Sequence, residues 1–264
     1  MRADRRGADP RPAACVSRLE ERLERATHGR PPPTTEEVCS LIELSNLHRH
    51  LSRCIGPSLA RQLALGDLIG PLHWQVDVPT GTITFGEEFR FPIQILGTES
   101  ERDHTWLWAW ANTRSNLPPG LLRAATWLRE YGREHRIPEL TEAEVSLDAV
   151  DGHLLSMLAA GLTGRCYYRG PHRGGAVFML LEDVPDSVLA PARPERVVTV
   201  LPQAIGMYET DHRTLVESFL TQQGWQVETA ATAVTGRHSG GSELYVKFDD
   251  LGRIIDMEAE LTAG

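Results

Sequence analysis

Between residues 72 and 111 the apolar side chains recur at every second position, and that period dictates extended chain. In HWQVDVPTGTITFG, Trp74, Val76 and Val78 share one side, a PTG turn follows, and Ile83 and Phe85 resume the alternation. FRFPIQIL repeats it with Phe89, Phe91, Ile93 and Ile95. Pro92 lies inside that run and cannot donate to a ladder, so an edge or a bulge is expected there. GTESERDH reads as a turn and TWLWAWAN as a fourth strand. Strands joined by connections this short pair as an antiparallel meander, because parallel neighbours need a long crossover.

The period then changes. NLPPGLLRAATWLREYGREHRI predicts a helix with Asn116 as its N-cap, two prolines in the first turn, and Leu121, Ala125, Leu128 and Gly132 on one stripe. DGHLLSMLAAGLTG predicts a second, ending near Gly161 or Gly164. RCYYRG and GAVFMLLEDV are two strands joined by GPHRGG. Upstream, TTEEVCSLIELSNLHRHLSRC predicts an amphipathic helix. Thr34 and Glu37 have capping-box spacing, and Val38, Leu41, Leu44, Leu47 and Leu51 form its apolar stripe. Downstream, DVPDSVLAPARPERV reads as a linker, VVTVLP as a strand, DHRTLVESFLTQQG as a helix, and WQVETAAT and ELYVKF as strands. RIIDMEAEL closes the chain as a strand in which Ile255, Met257, Ala259 and Leu261 alternate with acids.

This order predicts an α+β fold: an antiparallel sheet (four-strand meander plus a hairpin) packed by two helices, with a smaller C-terminal α+β unit. The expected organisation is a disordered or peripheral segment over 1–33, an amphipathic helical segment over 34–64, an α+β domain with the Trp-rich strand over 65–185, and a small α+β unit over 195–264.

A net charge of −9, spread along the chain, makes nucleic acid a poor partner. No apolar run is long enough for a membrane span, and the basic N-terminus lacks the apolar stretch of a secretory signal. The four cysteines, at 15, 39, 54 and 166, form no C-x-x-C pair; free thiols in a reducing cytoplasm are expected. Cys39 and Cys54 would lie too far apart along one helix to bridge. G-x-S-x-G, H-E-x-x-H and G-x-G-x-x-G are absent, so no catalytic residue, cofactor or metal is implied. His48 and His50, two apart on a helix, do not face one another.

The candidate site is the Trp strand. Trp106, Trp108 and Trp110 would project from one side of it, with Leu107, Ala109 and Ala111 on the other. One reading is a core strand beneath two helices. The other is a ligand-binding pocket walled by Trp106, Trp108 and Trp110, with Asn112 and His104 at its mouth beside Glu99, because indoles can stack a flat ligand and donate a hydrogen bond. The segment ESERDH also gathers Glu99, Glu101, Asp103 and His104, a set able to bind a metal or do acid–base work, though a hairpin tip is usually polar for solvation alone. RGPHRGG and GRHSGG are flexible tips that can present arginine to an acidic partner.

ILGTESERDHTWLWAWAN, LREYG and CYYRG together resemble an uncharacterised bacterial family of unknown function. Its marks are a G-T strand turn, a W-x-W-A-W-A-N strand and a helix ending in Y-G. The resemblance covers roughly residues 65–185 and implies one shared domain. The family carries no assigned activity, so the resemblance implies no chemistry. Two functions are expected to compete. One is a soluble, cytoplasmic, non-enzymatic protein that binds a protein or small ligand, regulatory or immunity-like in type. The other is a small-molecule enzyme built on the Trp pocket.

Overall fold

In the computed structural model, which describes residues 44–262, the alternating segment forms an antiparallel meander. Its strands are β1 (Trp74–Asp77), β2 (Thr82–Phe85), β3 (Phe89–Ser100) and β4 (Thr105–Trp108). Helix α1 (Asn46–Ile69) precedes it. After it come α2 (Arg123–His135), the short α3 (Pro138–Thr141), β5 (Glu144–Ser146), α4 (Gly152–Thr163) and the hairpin β6 (Cys166–His172) and β7 (Gly175–Leu181). Because β7 pairs with β3, the hairpin joins the meander in one seven-stranded sheet. Then α5 (Asp186–Leu189), α6 (Pro194–Met207) and α7 (His212–Gln222) lead to a second antiparallel sheet. It holds β8 (Gln226–Thr229), β9 (Ala233–Arg237), β10 (Glu243–Phe248) and β11 (Ile254–Glu260), in the order β11-β10-β9-β8. The fold is α+β. Thr34, Glu37, Val38, Leu41, Cys15, Cys39 and the segment 1–33 lie outside the described residues.

Pro92 meets the expected edge locally, because β3 pairs there with β2 alone and the β7 ladder stops at Ile93 with Leu181. Its carbonyl accepts from Glu182 N on the β7 side, while Ile93 N donates to Gly81 O on the β2 side. The missing N–H therefore falls just beyond the last β7 pair, where no ladder bond is lost. The irregularity in β3 sits between Ile95 and Gly97. Several elements depart from the reading of the sequence, each for a local reason. Gly97 and Thr98 continue β3 rather than starting a turn. A Cβ on Gly97 would lie 2.5 Å from the Trp106 ring, so this glycine admits an indole rather than bending the chain. VVTVLP lies within helix α6, not in a strand. Pro194 and Glu195 open that helix, and Val197, Val200, Leu201, Ala204 and Met207 bury a stripe at helical spacing. That burial overrides the β preference of a Val-Val-Thr-Val run. Asn116 takes a left-handed conformation after a 3-10 turn and does not cap α2. β9 forms between WQVETAAT and ELYVKF, where no strand was expected, and takes Gly236 and Arg237 from the expected GRHSGG tip. Ile255 bulges out of β11, leaving Ile254 paired with Phe248.

Helix α1 is enclosed by its neighbours. Every residue from Cys54 to Ala60 is buried. Small residues let the backbones meet: a Cβ on Gly56 would come 2.5 Å from Phe219 of α7, and one on Gly161 of α4 would come 2.6 Å from Cys54. Pro57 deprives Arg53 O of its helical donor, and Gln222 of α7 supplies one at 2.8 Å. Ser58 Oγ donates to Met157 O of α4, and Ser52 Oγ accepts from Asp211 N at the start of α7. Gln62 lies along the open edge of β6. Its amide donates to Tyr167 O at 2.9 Å and accepts from Tyr167 N at 3.2 Å, as a neighbouring strand would. One apolar core runs without a break from Leu47 to Phe248.

Gly56→Ala is expected to lower stability by about 1–3 kcal/mol, the range for overpacking, read as a shift in the denaturant midpoint. A second expectation concerns acid. His212 Nδ1 accepts from Ile254 N at 3.1 Å, where β11 begins. Burial holds this imidazole below its ordinary value, outweighing the opposite pull of Asp211 and Asp249. The folded chain then binds a proton less readily than the unfolded one, so the stability tied to neutral His212 is complete above pH ~6.5 and is lost as pH falls below that. Melting temperature should drop on acidification, and His212→Asn, which keeps an acceptor but does not titrate, should make the decline shallower.

Candidate functional site

The sequence-predicted pocket residues are placed on three different supports. Trp106 and Trp108 lie on one face of β4, fully buried, with ring centroids 5.3 Å apart in an edge-to-face pair. Trp106 also meets Phe178 at 5.2 Å, and Trp108 Nε1 donates to Glu139 O at 2.8 Å. The strand ends there. Ala109–Ala111 form a 3-10 turn, so Trp110 leaves the alternation and lies half-buried beneath the Arg129 guanidinium, 4.1 Å from its ring centre. Asn112 caps the next 3-10 turn by accepting from Ser115 N. His104 stands in the β3–β4 turn with φ +50, and its carbonyl accepts from Leu147 N.

The ESERDH group separates in the same way. Glu99 turns inward across from Trp106, while Glu101, Asp103 and His104 stay exposed. Glu99 Oε1 accepts from Gly152 N at 2.9 Å, where α4 starts, and Oε2 faces Arg169 Nε at 3.6 Å. Both side chains of this ion pair are more than nine-tenths buried. The helix N-terminus and the guanidinium together balance the carboxylate. Arg169 therefore belongs to the interior and not to the RGPHRGG tip, which is reduced to Arg173 and Gly174. His153 joins the cluster through Tyr167 OH at 2.9 Å. These partners come from β3, β6 and α4, and no motif ties them together in sequence.

A second constellation, unmarked in the sequence, reaches solvent. Gln94, Arg123, Trp127, Thr163, Arg165 and Glu182 line a groove of about 300 Å³. Glu182 is its hub. It receives Arg165 at 2.9 Å, Arg123 at 3.3 Å and Gln94 Nε2 at 3.2 Å. Gln94, buried in β3, also donates to Gly120 O and accepts from Ala124 N, fixing the start of α2 against the sheet. Arg165 and Glu182 also wall a neighbouring hollow lined by Asp183, which has φ +55, and Leu189. All six tryptophans lie within the described residues, and Trp127, on the rim of the groove, is the exposed one, at 45%.

From Trp127 the rim continues along α2. Its ring lies 5.3 Å from Tyr131, which in turn lies 4.1 Å from His135 and bonds His50 Nδ1 through its hydroxyl at 2.6 Å. Burial first, then His135 and Arg53, lower the His50 pKa; burial first, then Cys54 and Glu134, outweigh Arg53 and raise that of Tyr131. The imidazole tautomer sets which of Tyr131 OH and His50 Nδ1 donates in this bond. Burial likewise pushes the Cys54 and Cys166 thiols up to about 12, so neither is a ready nucleophile. Among the described residues no three His, Cys, Asp or Glu side chains converge as metal ligands would, and no helix is long and apolar enough to cross a membrane.

What these elements define is an α+β domain with an antiparallel sheet, a sealed aromatic interior and a polar groove at the start of α2. The sequence profile of a family of unknown function, DUF6882, matches residues 48–184, just over half of the chain. The chain belongs to that family. The matched span holds α1 from His48 onward, the whole seven-stranded sheet and every groove residue. No curated protein and no solved structure matches the chain.

Trp108→Ala should cost about 3–5 kcal/mol, because it opens a cavity in a packed interior, and Trp110→Ala distinctly less. Equilibrium unfolding of the two variants checks the contrast.

Proposed function

We propose that this is a soluble, cytoplasmic binding protein rather than an enzyme, and that it holds a partner protein, in a regulatory or immunity-like role, at the Trp127 groove. The observation that carries this reading is the exposed Trp127 indole beside Arg123 and Arg165. Trp, Tyr and Arg are the residues that dominate the energetics of protein interfaces, and an exposed ring next to guanidiniums is the composition of such an anchor. The groove floor supports it too. Gln94 and Glu182 are held by several partners each, so they give the groove a fixed shape and leave no side chain poised as an acid or base. The rival reading, a small-molecule enzyme on Trp106, Trp108, Trp110 and Asn112, would need a ligand to reach indoles of which two have no exposed surface. The cytoplasmic setting is in keeping with two described cysteines that are buried and free.

Trp127→Ala and Arg165→Glu, compared with the wild-type chain in affinity capture from the source cells, test the reading. Trp127→Ala should change folding stability by no more than roughly 0.5–1 kcal/mol. Arg165→Glu should cost more, because it sets a carboxylate against Glu182. Each should lower affinity for the captured partner by about 2 kcal/mol or more, roughly 30-fold. A partner retained equally by both variants would place the binding surface elsewhere.

A further inference from the structure

The exposed large apolar side chains of the described residues fall on two surfaces. Trp127 and Leu189 belong to the groove and its neighbouring hollow. The other four, Tyr245, Leu251, Ile255 and Leu261, belong to the second sheet, around its β11 end. That clustering needs an explanation, because single apolar residues scattered over a surface are ordinary while a group at one edge is not.

The backbone supplies one. β11 pairs with β10 on one side and, among the described residues, with nothing on the other. The hydrogen-bond pattern tells which of its groups face outward. Phe248 N donates to Thr232 O, so Val246 and Leu244 point toward β9 as Phe248 does, and Tyr245 and Glu243 point toward β11. Their partners Glu258 and Glu260 are bonded inward, as is Thr262, whose N–H reaches Ser242. Met257 and Ala259 therefore turn their N–H and C=O groups to the open edge. Met257 N–H takes up the carboxylate of its own neighbour Asp256 at 2.9 Å, as an outward donor with no strand beside it would. The edge carries no proline or lysine; its guards are the Ile255 bulge and its acids, which repel an acidic strand but not a basic one.

Side chains on the solvent face of this edge are Asp256, Glu258 and Glu260, all exposed. Those charges select among possible occupants. A second copy pairing β11 with β11 about a two-fold axis would set acid opposite acid, which destabilises a ladder. An extended segment with lysine or arginine at alternate positions meets those acids with opposite charge. Its intervening apolar residues lie beside Met257 and Ala259.

We propose that β11 is a strand-addition site: a basic, alternating extended segment of a partner protein pairs with Met257 and Ala259 and becomes the fifth strand of the second sheet. Main-chain bonds hold the segment and Asp256, Glu258 and Glu260 choose it. This surface is separate from the groove and does not depend on it.

Three labelled peptides test this on the full chain by fluorescence anisotropy at physiological salt: alternating Lys-Val, the same residues in blocks, and alternating Glu-Val. The alternating basic peptide should bind about tenfold or more tighter than either control, since only it can both pair and match charge. Ala259→Pro removes an outward N–H that makes no native bond, and should weaken binding about tenfold while leaving the melting temperature in place. If that variant fails to fold, Glu258→Lys carries the test: binding of the basic peptide falls and binding of the acidic one rises. Equal binding of the blocked peptide would reduce the effect to plain charge attraction and overturn the proposal. So would no binding at all, or a self-association in sedimentation velocity that Ala259→Pro abolishes.

Discussion

The architecture depends on how closely other backbones approach the middle of α1. Gly56 and Gly161 remove side chains where Phe219 and Cys54 press in, so three helices meet nearly backbone to backbone. Such proximity excludes water and leaves polar groups without solvent, and the chain answers each in turn. Arg53 O, orphaned by Pro57, is met by Gln222, while Ser52 and Ser58 tie α1 to α7 and α4. Buried main-chain groups of this kind are costly if left unmet, so the three helices are held at one spacing and one rotation. The sheets are then fixed through them, the first by α4 and Gln62, the second by α7.

The same economy of space shapes the interior of the first sheet. Trp106 occupies volume opened by Gly97 and Gly152, and Glu99 sits beside it only because α4 begins there with an amide to offer. Aromatic bulk and a buried charge are thus neighbours by design of the backbone. The groove lies elsewhere, where Gln94 joins β3 to the start of α2 and Glu182 gathers two arginines. Interior polarity serves the fold, and the polarity at the groove faces outward.

Periodicity made much of this legible. The meander, α2, α4 and the β6–β7 hairpin follow from alternation, helical spacing and the glycine at 164, which does cap α4 in a left-handed conformation. What escaped was set by contacts distant in sequence. Val-Val-Thr-Val favours a strand in isolation, yet its stripe is buried as a helix. Gly97 looks like a turn residue until Trp106 is seen lying on it. Arg169 looks like part of a flexible tip until Glu99 is found beneath it. Gln94, Arg123, Trp127, Arg165 and Glu182 form no motif, because four separate stretches of chain supply the groove. Chemistry assembled by topology leaves no local spacing to read.

Gln62 has a wider consequence. A helix side chain finishes the first sheet at β6, where another strand would otherwise be required. Sheets grow by templating, and an uncovered edge offers the same template to any extended chain that drifts past, including a partly unfolded copy of itself. One amide therefore separates a helix-packing problem from a solubility problem. Drift at this position would be felt first as a tendency to assemble during synthesis, before any loss of the folded state became measurable.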